Sequence, residues 1–518
     1  MGTPEDVFGL LEAGLALDPG AVAISAGASS ADYASLHAAA IHLAAALRAG
    51  GIGPGDRVAL LERNTPAFLI WTFGAAAVGA ILVPVNLRLA AAELRAVLDD
   101  AAPRLVVAHE EFESVLGEAL ALKSEVDAPE VRWLGDGETA EPLGLATGAG
   151  AAPAFERHHA GPGEVVHLYY TSGTTGRPKG VPLTHGNVVS HALAATSELD
   201  LAADDVWGHI APMFHLADAW ATLAITAVGG AHAFLPHFEA REALGLVLEQ
   251  RVTVTNLVPV MLQRMLHEVR SGAVPVDGHG LRLVLSGGAP IAPATVMDVL
   301  ETLRCEYVQT YGLTETSPYL TLAILEPRHR KLPEARQLAI RARTGRPFET
   351  VELEVVDDAG VPVPRDDRTV GEIVARGSSV TPGYWNRPEE TAAAFRRGWF
   401  HTGDLATIDR HGWVDIVDRK KDVIVSGGEN VYSIEVESAL LAHPAVLECA
   451  AFGAPSEEWG EEVRAAVVLT AEVSTEELRE HCRGLIARYK VPRAIEVLDA
   501  LPRTGSGKIA KRLLRPRS

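Results

Sequence analysis

Short β-branched runs alternate with helical stretches along most of this chain, and that alternation limits its fold more than any other feature. VVHLYYT (165–171), VWGHIAP (206–212), AHAFLP (231–236), VTVTNLVP (252–259), LRLVLSGGAP (281–290) and CEYVQTYG (305–312) stand apart from one another. Between them lie amphipathic segments such as LADAWATLAITAVGG and EAREALGLVLEQ. RVALLE, AILVPVN and RLVVAHE repeat the pattern from about 56 to 110. Such βα repetition predicts parallel sheets covered by helices. Ligands on these sheets collect at the carboxyl ends of strands. The segments TSGTTG, SGGAP and YGLTE all fall at such ends.

The pattern changes after about 345. VELEVVDD, the turn Ala359-Gly360 and VGEIVARG alternate with period two, as antiparallel strands do. From about 421 a smaller mixed unit follows, with strand DVIVSGG, helix SIEVESALLAHP, strands VLECAAFG and VRAAVVLT, helix TEELREHCRGLIARY and strand AIEVLD. The class is therefore α/β. A large N-terminal domain (1–420) should hold parallel βα sheets and a small β subdomain, and a small α+β C-terminal domain (421–518) should follow. Ser433 is placed to cap its helix, with Glu435 and Glu437 in the first turn. The charged run VDRKKD at the boundary has no Pro or Gly and reads as a defined hinge.

With 518 residues the chain needs more than one core. Cys305, Cys449 and Cys482 show no paired spacing, which argues against a disulfide framework or zinc site and suits a reducing cytoplasm. The start, MGTPEDVFGLLEAG, carries acids where a signal peptide has bases. Phe68–Val85 is uncharged and nearly long enough to span a bilayer. Its small residues and Val-Pro-Val ending fit a buried helix running into a buried strand, so stable membrane insertion is not expected. A formal charge of −21 disfavours a nucleic acid partner. An anionic ligand must then find a locally positive place. The acid-free tail RTGSGKIAKRLLRPRS is either a solvated basic end or a cationic flap for phosphates. Alanine, arginine and glycine richness suggests a high-GC bacterial source.

YYTSGTTGRPKGV (169–181) is the segment with the most chemistry. Its glycines permit close approach to a phosphate, its hydroxyls donate, and Lys179 supplies charge. It is not the common ATP loop, in which the lysine directly follows the second glycine. Taken alone, it reads as a phosphate cradle or a plain surface turn.

Its neighbours decide between the two. YYTSGTTGRPKGV resembles the phosphate loop of the AMP-forming adenylate ligases, the superfamily of acyl-CoA synthetases, peptide-synthetase adenylation domains and luciferases. Other stations of that family follow in order: APMFHLADAW (211–220), SGGAP (286–290), QTYGLTETSP (309–318), GWFHTGD (398–404), VDRKKDVIVSGGENVYSIEVE (417–437) and PRTGSGKIAKR (502–512). The motifs are closest to those of fatty-acid-type acyl-CoA ligases. The resemblance implies that a carboxylate attacks the α-phosphorus of ATP, giving acyl-AMP and pyrophosphate. A thiol then takes the acyl group and AMP leaves.

The resemblance also assigns roles. Thr171, Ser172, Gly173, Thr174, Thr175, Gly176 and Lys179 would grip the departing phosphates. Glu315, helped by Thr171, would bind Mg2+, whose preference is for oxygen. Thr314 would donate to the α-phosphate. Gly287, Gly288 and Ala289, with Tyr311, would line the adenine slot, and Thr310 and Gly312 would also contact the nucleotide. Asp404 and Arg419 would hold the ribose. Lys508 would touch both the attacking carboxylate and the α-phosphate. The small domain of the family is mobile, turning about a hinge here at Lys421. That turn withdraws the lysine and brings in Gly427-Gly428, either a pantetheine tunnel for coenzyme A or a plain turn.

His215, Asp218, Trp220, Gly312 and Ser317 would border the acyl pocket. A histidine at 215, where amino-acid-activating relatives usually place an aspartate, argues against an amino acid. Asp218 faces either solvent or the pocket, where it would disfavour a plain alkyl chain. No carrier domain follows the last motif, so a diffusible thiol such as coenzyme A is favoured, with a separate acyl-carrier protein as the other acceptor. A one-step thioesterifying variant, a non-catalytic sensor and a homodimer stay open.

Overall fold

The computed structural model describes residues 3–27, 29–135, 155–172, 178–274, 278–289, 291, 293–503 and 509–515. The chain divides into two compact units, residues 1–352 with 376–398 and residues 353–375 with 399–518.

The first unit carries the βα repetition as two sheets. Among the described residues, one sheet has the spatial order Arg346–Pro347, Tyr319–Leu322, Glu306–Gly312, Leu283–Ser286, Val254–Leu257, Val206–His209, Ala231–Phe234, Val22–Ala26, Ser29–Asp32. Its inner strands are parallel and its edge strands antiparallel. The other has the order Glu130–Leu134, Leu105–His109, Arg57–Leu61, Ile81–Pro84, Val165–Ser172, Pro178–Thr184. Only its last pair is antiparallel. That pair forms the two arms that bracket the glycine-rich loop.

Caps fix where helices begin. Asp6 accepts from Gly9 N–H, and Asp32 from Ser35 N–H. Thr184 and Asn187 form a reciprocal capping box at helix His185–Glu198. The uncharged stretch at 68–85 becomes helix Pro66–Ala77 and strand Ile81–Pro84, every residue buried. A helix apolar all round belongs inside a core. Gly74 lets it approach helix Tyr33–Ala49, since a Cβ there would lie 2.7 Å from Leu43 Cδ2. No helix among the described residues is long and apolar enough to cross a membrane.

This core encloses titratable rings. His167, His185, His191 and His232 are at most 4 % exposed. Burial lowers His167 and His191 to about 3 and His185 to about 4, and pushes His232 well below its ordinary value. The unfolded chain takes up protons near pH 6.5 that the fold refuses, so stability falls as pH drops below about 6.5 and keeps falling toward about 4. Each ring costs ~1.3 kcal/mol at about pH 5.5 relative to about pH 7.5, and the four together roughly 5 kcal/mol. Denaturant unfolding at the two pH values checks this; equal midpoints refute it.

The second unit is built on an antiparallel ladder of Gly371–Gly377, Trp399–Ile408 and Val414–Arg419. Helices Ser433–Leu441 and Thr475–Leu485 belong with a further sheet of Ile424–Ser426, Glu429–Val431, Val446–Ser456, Gly460–Leu469 and Ala494–Val497. The small β subdomain expected within residues 1–420 thus clusters largely with the C-terminal residues. Asp418 supplies the tie. It is 1 % exposed, and its carboxylate accepts from the Ser433 N–H and, at 2.9 Å, from the Ser433 hydroxyl. Ser433 is consequently not a cap. It is the first residue of its helix, and its hydroxyl is committed to Asp418 and Lys511.

Candidate active site

Strand ends and the turns after them position the site residues of the first unit. Thr171 and Lys179 are cross-strand partners on the two arms. Gly173, Thr174, Thr175 and Gly176 lie outside the described residues, as does Lys508; Ser172 ends its strand. The Lys179 Nζ stands 5.0 Å from the ring centroid of Tyr384, a cation–π contact. The Tyr384 hydroxyl donates to Glu315 Oε1 at 3.0 Å. Glu315 is 7 % exposed and sits in the one-turn helix Thr314–Thr316. Burial, then the Glu315 charge, pushes the Tyr384 phenol upward, so it stays protonated as a donor. A cavity of about 340 Å³ opens beside Lys179 and is also lined by Arg387, Glu389 and Glu390.

The SGGA and YGLTE segments are spaced by close backbone approach. A Cβ on Gly287 would meet Thr310 Oγ1 at 2.4 Å. One on Gly312 would lie 1.8 Å from the Pro318 carbonyl oxygen. Only glycine fits either position. Gly288 and Ala289 are exposed, and Tyr311 and Thr314 half-buried. Gln309 props this edge by donating to the Ala289 carbonyl at 3.1 Å, while accepting from Tyr307.

Asp404 and Arg419 belong to the second unit, where they are cross-strand partners with Arg419 Nε 3.3 Å from Asp404 Oδ1. Lys421 is exposed there. Gly427 and Gly428 are the two central residues of a hairpin turn between Ile424–Ser426 and Glu429–Val431, with φ of +61° and +83°. Two positive φ values in a two-residue loop match the twist of the strands and call for glycine. A Cβ on Gly427 would also touch the Trp459 ring at 2.8 Å.

Residues expected at the acyl pocket separate into two groups. His215 is half-buried beside Phe214, ring centroids 4.6 Å apart, immediately before helix Leu216–Ala227. Gly312 is exposed. The others are drawn inside. Asp218 does not face solvent: it is 0 % exposed. Its carboxylate bonds His209 Nδ1 at 2.6 Å and Trp207 Nε1 at 3.3 Å. His209 Nε2 continues to His232 Nδ1 at 3.0 Å, and His232 Nε2 to Thr226 Oγ1 at 3.1 Å. Burial raises the Asp218 pKa, and the bonds from His209 and Trp207 work against that rise. Trp220 packs against His191, Trp207 and Tyr319. Ser317, 1 % exposed, donates to the Ser379 carbonyl at 2.7 Å.

Sequence reading missed three participants. Asn64 donates to the His209 and Ala211 carbonyls at 2.9 and 2.8 Å and accepts from Met213 N–H at 2.8 Å, clamping the segment that leads to His215. Gln309 and Tyr384 are the others. The contacts that place them reach across the sequence, to His209, Ala211 and Met213 for Asn64, to Ala289 for Gln309 and to Lys179 and Glu315 for Tyr384, so no local pattern announces them.

The arrangement presents a lysine and a carboxylate beside glycine-lined backbone, suited to a polyphosphate with a divalent cation. Among the described residues no group of three or more His, Cys, Asp or Glu could hold a metal. Glu315, a buried carboxylate, offers the oxygen donor that an ion such as Mg2+ prefers.

Comparison with known proteins agrees. Residues 11–385 match the AMP-binding enzyme family, and 435–508 the AMP-binding enzyme C-terminal domain. The chain is 38 % identical over 506 residues to a feruloyl-CoA synthase of Amycolatopsis, covering 97 % of this chain and 96 % of that one. It is 38 % identical over 487 residues to a long-chain-fatty-acid–CoA ligase of Mycobacterium tuberculosis, covering 93 % and 92 %. The o-succinylbenzoate CoA synthetase of Bacillus subtilis, solved with its acyl-adenylate intermediate, superposes with a TM-score of 0.84 at 29 % identity over 98 % of both chains. The chain belongs to the AMP-binding enzyme family and is an AMP-forming acid–thiol ligase.

Proposed function

We propose that this chain converts a carboxylic acid, ATP and coenzyme A into an acyl-CoA, AMP and pyrophosphate. The single observation that carries this reading is the convergence of Lys179, Tyr384 and Glu315 beside the arms of the phosphate loop. In the first step an acid oxygen bonds to the α-phosphorus and the bond to pyrophosphate breaks. Lys179 and the loop around it hold the departing phosphates. Glu315 and Thr171 would hold Mg2+, which when bound neutralises phosphate charge. Thr314 and Lys508 meet the charge that builds on the α-phosphate oxygens. Gly287, Gly288, Ala289 and Tyr311 seat the adenine, and Asp404 with Arg419 the ribose. In the second step the thiolate sulfur bonds to the acyl carbon and AMP departs; Gly427 and Gly428 leave room for the pantetheine arm. Lys421 is the hinge between the two steps.

His215, on the segment held by Asn64, and Gly312 would border the acyl group, with Asp218, Trp220 and Ser317 packed behind them. Three buried, unpaired cysteines suit a reducing cytoplasm.

Mixing protein, ATP, Mg2+ and a panel of aryl and alkyl acids should release pyrophosphate with at least one acid. Adding coenzyme A should then yield AMP and the acyl-CoA, read by mass spectrometry. A carrier-protein pantetheine offered in parallel identifies the thiol. ATP binding with no pyrophosphate from any acid counts against the ligase reading. Thioester from synthetic acyl-AMP without pyrophosphate release replaces it with a one-step enzyme.

A further inference from the structure

Tyr384 lies outside every motif that carries the family resemblance, yet it touches two of the charged groups those motifs supply. Its segment is stapled to both. Trp385 N–H donates to the Gly180 carbonyl at 2.9 Å, and the Thr381 hydroxyl to the Pro182 carbonyl at 2.6 Å. Both carbonyls belong to the arm that carries Lys179. Thr381 N–H donates to the Glu315 carbonyl at 2.8 Å, on the turn that carries the carboxylate. Asn187 holds the approach to this segment by donating to the Ser378 and Val380 carbonyls at 2.8 and 3.0 Å. Tyr384 itself is fixed by its own N–H, which donates to Thr391 Oγ1 at 2.9 Å.

We propose that Tyr384 is a positioning residue that sets the Lys179 ammonium and the Glu315 carboxylate for a metal-bound triphosphate. A long lysine and a glutamate lose much rotamer freedom when fixed. A phenol meets both needs at once: its face attracts the cation and its hydroxyl donates to one carboxylate oxygen. The bond from Tyr384 to Glu315 Oε1 fixes the rotamer of the carboxylate that would meet the metal. The two functions are separable in sequence terms. Phenylalanine keeps the ring under Lys179 and loses the bond to Glu315; leucine loses both.

The inference rests on the assignment of Glu315 to Mg2+ and Lys179 to phosphate, and the test distinguishes the two. ATP affinity is measured by calorimetry without acid, so that no turnover occurs, once with Mg2+ and once with EDTA. The wild-type chain should bind ATP more tightly with Mg2+. Tyr384→Phe should shrink that gain roughly tenfold or more, the scale of a hydrogen bond to a charged group. Its metal-free affinity should stay within about twofold, because the cation–π contact survives. Tyr384→Leu should weaken metal-free binding as well. Thermal melting of Tyr384→Phe, expected close to wild type, reports that the variant folds. A Phe variant that keeps the full Mg2+ gain overturns the proposal, as does one that loses metal-free and metal-bound affinity equally. If Glu315→Gln also keeps the gain, the metal assignment itself fails.

Discussion

Replacing Lys508 with alanine is expected to lower acyl-AMP formation at least a hundredfold while leaving thioester formation from supplied acyl-AMP within a few-fold of wild type. The magnitude is that of removing one fixed donor from a transition state in which charge concentrates on oxygen, ~10²–10³ in rate. The division follows from the chemistry. In the first step an anion attacks an anionic phosphorus, so an ammonium that touches both lowers the barrier. In the second step a thiolate attacks the uncharged acyl carbonyl and AMP departs as an anion; no anion approaches phosphorus, so that ammonium has no comparable task. Gly427→Leu should do the reverse. Gly427 sits at φ +61°, and a Cβ there meets the Trp459 ring at 2.8 Å. A branched side chain must displace that ring or the turn, so coenzyme A transfer should fail while pyrophosphate release with acid persists. Rapid-quench assays of each half-reaction read both variants. Equal loss of the two steps in Lys508→Ala, or unaffected transfer in Gly427→Leu, removes the division of labour.

Asp218→Ala is expected to destabilise the first unit by about 3–5 kcal/mol, the scale of stripping one partner from a buried pair. Asp218 is 0 % exposed, and both oxygens are engaged, by His209 and Trp207. Alanine leaves a buried imidazole and an indole N–H without their acceptor. His209 would also lose the partner that orients its bond to His232. Asp218→Asn, which keeps the shape and one acceptor, should cost clearly less. Urea unfolding of the two variants decides; an alanine variant within 1 kcal/mol of wild type would falsify the buried-pair account. The same bond ties strand Val206–His209 to helix Leu216–Ala227, and residues 210–215 run between them. Acid selectivity in Asp218→Asn therefore reports how far that tie shapes the segment bearing His215.

Much of this molecule was legible in one dimension. Parallel βα units, the antiparallel change after about 345 and the order of the motifs need only period, punctuation and spacing. Those signals are local, and backbone hydrogen bonding enforces them wherever they occur. The glycines at 287, 312, 427 and 428 were also readable as important, though not for the contacts that require them. Gly287 and Gly312 are needed because Thr310 and Pro318 come too close for a Cβ. The division near residue 420 shows the limit: a strand on one side of VDRKKD and a helix on the other are joined through Asp418 and Ser433, fifteen positions apart.

By itself the sequence determined the α/β class through period and punctuation, and the ligase family through the resemblance of several motifs in order, because both rest on residue types at short, fixed spacings. Only the tertiary structure decided which way individual side chains face. Asp218 was drawn into the core by His209 and Trp207, Ser317 by Ser379, and Tyr384 was brought between Lys179 and Glu315. The reason is physical: a buried polar group must find partners, and those partners are chosen by packing in three dimensions, which no local pattern encodes.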